Sequence, residues 1–91
     1  MTRMSETRDD YPHVIHQFSD NLRVIICPLD LQWIIQKAAG RRDGQTRWKS
    51  VSFPTERESL ARLLRTRFDV SEKDVQSAVK SLPPLFRRKP T

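Results

Sequence analysis

The side chains able to do chemistry form three groups: two histidines with one cysteine, a few paired carboxylates, and a set of cations around a tryptophan. Metal binding would draw on His13, His16 and Cys27. A spacing of three in an extended segment sends the two imidazoles to opposite faces, and no Cys-x-x-Cys partner or helix start lies beside Cys27 to make it reactive. They read as polar edge residues and a packed thiol. Among the carboxylates, Asp9 and Asp10 fall in a polar leader, and Glu56 and Glu58 belong to a helix start. The chain has no G-x-S-x-G, no phosphate-cradling glycine loop and no H-E-x-x-H. The expectation is a protein that is not an enzyme and uses neither metal nor cofactor.

The cations are denser. Arg41, Arg42, Arg47 and Lys49 flank the Asp43-Gly44 step, where only Asp43 opposes them, and Trp48 sits among them. Alternation places Lys49, Val51 and Phe53 on one side of a strand and Trp48, Ser50 and Ser52 on the other. If Val51 and Phe53 face the core, Trp48 points outward. An exposed indole beside guanidinium groups is a stacking platform, contributing about 1 to 3 kcal/mol per base, with phosphate contacts from the arginines. The alternative is that Trp48 covers an apolar patch beneath a loop or beneath Leu85-Phe86. Arg62 and Arg65 point away from a leucine stripe, and Glu58, four residues before Arg62, can pair with it on a solvated helix face. Arg87, Arg88 and Lys89 form a basic end that strengthens polyanion binding without reading sequence.

The elements that must position these groups follow from patterning. Runs at 13–18 and 22–27, split by Ser19-Asp20-Asn21, predict a hairpin. Pro28 ends it, a third strand covers 31–37, and the turn at 40–44 leads to a fourth at 46–53. Pro54-Thr55-Glu56-Arg57-Glu58 starts a helix, Thr55 accepting from the Glu58 N–H while the Glu58 carboxylate reaches back. Leu60, Leu63, Leu64 and Phe68 form its buried stripe. A second helix starts at Ser71, buries Val75, Ala78, Val79 and Leu82, and stops at Pro83-Pro84. The expected fold is α+β: an antiparallel meander of three to four strands with two helices packed on one face. The other face is expected to be open to solvent or to a partner. Residues 1–12 read as a flexible leader, 13–86 as a single domain and 87–91 as a basic tail.

Size and charge bound the function. The chain has 91 residues, 36% hydrophobic and 31% charged, enough for one small core and no large buried cavity. Its formal charge is +6 and uneven, because residues 1–20 carry two basic and four acidic side chains while 21–91 carry fifteen and seven. Such a body attracts polyanions, nucleic acid first and an acidic protein face second. The single cysteine excludes an internal disulfide. With no hydrophobic leader and no long apolar run, the expectation is a soluble cytoplasmic protein that does not engage membranes.

The stretch from Trp48 to Leu60, WKSVSFPTERESL, resembles the strand-to-helix junction, aromatic-x-Thr-x-x-Glu-Ala, of three-stranded-sheet DNA-binding domains. These are the arm-binding domains of phage-type integrases and the ethylene-response type of transcription factor. That resemblance implies a sheet laid in the major groove. Ser59 replaces the usual alanine, and the ordered arginine and tryptophan set that reads bases in the plant domains does not occur here. The wider span 31–67, with Trp33-Ile34-Ile35-Gln36, Gly44, Trp48 and the helix that follows, also looks like short uncharacterised proteins of bacteria, phages and mobile elements.

Two functional classes fit these observations. The first is a nucleic-acid-associated binding module of phage or mobile-element type that presents the 40–49 hairpin to phosphate and bases. The second is an anti-defence, anti-CRISPR-like inhibitor that binds a host nucleoprotein complex through protein contacts. Because the chain is basic, that inhibitor would not act as an acidic DNA mimic. A homodimer through an open sheet edge or Leu85-Phe86 is also compatible.

Overall fold

Short β-branched runs, each ended by a turn signal, build a sheet from local pairings alone. In the computed structural model, which describes residues 6–28 and 32–86, β1 (Val14–Ser19), β2 (Leu22–Ile26), β3 (Trp33–Arg42) and β4 (Gln45–Ser52) form one antiparallel meander in the order β1-β2-β3-β4. Helices α1 (Arg57–Thr66) and α2 (Glu72–Val79) follow. The fold is α+β, as the patterning implies.

The β3–β4 turn takes only Asp43 and Gly44, with φ of 53° and 78°. Both residues are left-handed, as a two-residue turn matched to strand twist requires. Strand β3 therefore continues through Gly40, Arg41 and Arg42 instead of ending at 37. Gly40 lies where the β3–β4 register shifts, so it marks an irregularity inside a strand and not a turn.

The start of α1 departs from the expected reciprocal cap. Its N-cap is Glu56, with no side-chain cap. The returning chain supplies the acceptor instead: the Arg57 N–H donates to Pro84 O at 2.8 Å, and the Phe86 N–H donates to Thr55 O at 2.7 Å. A tertiary contact has replaced a local one. The second helix does use its sequence signal, Ser71 accepting from the Asp74 N–H at 3.3 Å. Between the helices, Asp69 is left-handed, with φ 54°. The Val70 N–H there closes on Leu64 O at 2.8 Å, which turns the chain back.

Val24, Trp33 and Ile35 of the sheet meet Leu60, Leu64, Val75, Ala78 and Val79 of the helices in the main core. Phe86 seals its end against Trp33, edge to face, with centroids 5.4 Å apart. The opposite face of the sheet is not open. Residues 6–11, part of the expected leader, lie across it, and Tyr11 packs with Ile25, Cys27 and Ile34 in a second, smaller core. The Tyr11 hydroxyl donates to Ile26 O at 2.7 Å.

Candidate nucleic-acid interface

Pairing register assigns each hairpin cation to a face. Residues opposite each other in a ladder share a face. Lys37 opposes Lys49, Gly40 opposes Arg47 and Arg42 opposes Gln45, on the side that carries the helices. Gln36 opposes Ser50, Ala38 opposes Trp48 and Arg41 opposes Thr46, on the other side. The expected cluster is thereby divided. Arg42, Arg47 and Lys49 stand together with Lys37, all exposed, whereas Arg41 lies behind them, 3.7 Å from the Asp20 carboxylate.

Trp48 requires the larger correction. Its strand alternation is as read, opposite to Val51, but the indole is only 2% exposed and cannot stack on a base. Leu85-Phe86 does not cover it, but a loop does, formed by residues 6–11: the Trp48 backbone N–H donates to Thr7 O at 2.9 Å and the indole Nε1 donates to Asp9 Oδ1 at 3.1 Å. That indole bond is the leading reason the Asp9 carboxyl lies below its ordinary range.

Arg23, which patterning did not single out, holds this face together. Its residue is 0% exposed, and its guanidinium lies 4.4 Å from the Trp48 ring centroid. Nε donates to Gln36 Oε1 at 2.7 Å, and Nη2 donates to Glu6 O at 3.0 Å and Arg8 O at 2.9 Å. Gln36 Nε2 donates to Glu6 O at 3.0 Å and to Ser50 Oγ at 3.1 Å, and the Ser50 hydroxyl donates to the Glu6 carboxylate at 2.6 Å. A buried guanidinium is tolerated only when its donors are satisfied. Burial pulls its pKa below the ordinary arginine range, while Asp9 opposes the shift. The sequence signal was a cation in the middle of Leu22-Arg23-Val24-Ile25-Ile26, where a half-exposed strand would not place apolar neighbours on both parities.

The remaining candidates are dispersed. Arg62 and Arg65 lie on α1, but Arg62 does not pair with Glu58. Arg65 instead grips Glu72 of α2 through both carboxylate oxygens, and each partner shifts toward its charged form because of the other. Arg87 and Arg88 lie outside the described residues. Among the described residues no group of His, Cys, Asp and Glu could hold a metal ion, and no helix is long and apolar enough to cross a membrane.

What emerges is one face of β3 and β4 that carries Lys37, Arg42, Arg47 and Lys49, with no carboxylate paired to any of them among the described residues. Four unpaired cations on one face attract anions. No protein-family model, curated protein or solved structure matches the chain.

Proposed function

We propose that this protein is a small, non-enzymatic cytoplasmic binding module that docks the backbone of double-stranded nucleic acid on the face formed by Lys37, Arg42, Arg47 and Lys49. One observation carries the reading: four exposed cations share one face of a hairpin, and Lys37 and Lys49 oppose each other directly. Like charges opposite one another in a sheet are unfavourable, so their position answers to a bound anion better than to folding. A duplex fits better than a single strand because both rings of the hairpin, Trp33 and Trp48, are buried and offer no stacking platform among its cations.

The test is a titration with random duplex and single-stranded DNA across a salt series. Replacing Lys37 and Lys49 with alanine should flatten the log–log salt slope by about 2. Arg41→Ala should do less than Arg47→Ala, since its guanidinium has Asp20 beside it. Salt-insensitive binding, or none at low salt, would remove this reading.

A second reading, an inhibitor that blocks a host nucleoprotein complex through protein contacts, draws support from Phe53 and Leu85. These large apolar residues are 52% and 56% exposed, and a phosphate backbone has no use for them. Absent DNA binding with retained inhibition of such a complex would favour it.

A further inference from the structure

Helices α1 and α2 pack side by side and leave an open groove of about 730 Å³ between them. Ala61 and Val79 line it among Arg57, Arg62, Arg65 and Lys80, and among the described residues Glu58 is the one carboxylate at its lining. Internal contacts account for only two of those four cations. Arg65 is held by Glu72, which also accepts from Gln76 Nε2 at 2.9 Å. Arg57 Nη1 donates to Leu82 O at 2.9 Å, which fixes the guanidinium and leaves its other donors available. The Arg62 and Lys80 side chains have no hydrogen-bond or ion-pair partner among the described residues.

We propose that this groove is a docking site for a short acidic segment of a partner protein, independent of the basic hairpin. Charge complementarity selects the occupant: the lining holds two cations, Arg62 and Lys80, that no carboxylate among the described residues pairs, and carboxylates match the fork of a guanidinium. Shape selects a peptide over nucleic acid. Packed helix axes lie only about 8 to 10 Å apart, so the furrow takes side chains and not a duplex. The small apolar residues Ala61 and Val79 give a single strand no ring on which to stack. A ten-residue helix such as α1 runs about 15 Å, the reach of roughly five extended residues. The occupant is therefore a short stretch with carboxylates along its length and one small apolar side chain turned to the floor. Arg57, fixed by Leu82 O with its other donors available, would bind it with little loss of side-chain freedom.

The test uses the full chain against a random heptapeptide display library, followed by synthesis of the selected peptide with a fluorescent label for anisotropy titration. Selected sequences should be enriched in Asp and Glu, and the titration should weaken by about tenfold or more in Arg62→Glu/Lys80→Glu. The neutral pair Arg62→Gln/Lys80→Gln should weaken it less, and guards against a loss of fold caused by charge reversal. Lys37→Ala/Lys49→Ala should leave peptide binding unchanged, and both groove variants should leave the salt slope for duplex DNA unchanged. No enrichment, enrichment in neutral or basic sequences, or peptide binding that survives both groove variants would overturn the proposal. So would groove variants that weaken duplex binding as much as the hairpin variant does, because the groove would then belong to the nucleic-acid surface.

Discussion

On one face of the β3–β4 hairpin Trp48 and Ser50 lie beneath residues 6–11, whereas on the other Lys37, Arg47 and Lys49 stand exposed. Both faces involve cations, in opposite ways. Arg23 has left water altogether, at a desolvation cost of several kcal/mol, and recovers it through Gln36, the carbonyls of Glu6 and Arg8, and the Trp48 ring. Its charge is committed to the fold. Lys37 and Lys49 keep their hydration and gain nothing from each other. A cation that folding neither desolvates nor neutralises remains available to a ligand, and that difference separates the structural Arg23 from the two lysines of the proposed binding face.

Substitutions can break this contrast, the largest first. Trp48→Ala should destabilise by about 3 to 5 kcal/mol, because it empties a buried site of its largest side chain. Arg47→Ala, one residue away, should stay within about 0.5 kcal/mol. Chemical denaturation measures both, and comparable losses would erase the distinction between the faces. Arg23→Met should cost about 1 to 3 kcal/mol, since it keeps apolar bulk but strands Gln36 Oε1 without its donor, while the Glu6 and Arg8 carbonyls keep Gln36 Nε2 and the Tyr11 N–H.

Acid should loosen the covered face before the main core. The Asp9 carboxyl is held below its ordinary range chiefly by the Trp48 indole. A carboxyl depressed in the folded state favours folding above its unfolded pKa of about 3.9, and that contribution fades as pH falls through the folded value. The Trp48 indole N–H should therefore exchange faster below about pH 4, and Asp9→Asn should remove the pH dependence. An unaltered acid profile in that variant would show that Asp9 does not secure residues 6–11. The smallest effect sharpens the comparison from the other side. Lys37→Ala/Lys49→Ala should change stability by under about 0.5 kcal/mol, toward greater stability, as a cross-strand repulsion is relieved.

Much of the architecture was legible because its signals are local. The Asp43-Gly44 turn, the β-branched runs, the Ser71 cap and the leucine stripe each act within a few residues. The Thr55–Glu58 cap failed where a distant segment, Pro84 to Phe86, supplied the hydrogen bonds first. The site was legible in part. Arg42, Arg47 and Lys49 were recognised by proximity to the turn, but Lys37 is distant in sequence and joins them only through its pairing with Lys49.

Sequence by itself determined the strand and helix types, the basic balance and the parity that sets Trp48 opposite Val51, since these depend on neighbours along the chain. Tertiary structure alone decided that residues 6–11 cover the second face, that Arg23 is buried beneath them, and which cations remain in water. Parity names the side of a sheet a residue occupies. Whether anything lies over that side depends on segments tens of residues away, and on whether their carbonyls can satisfy a guanidinium removed from solvent.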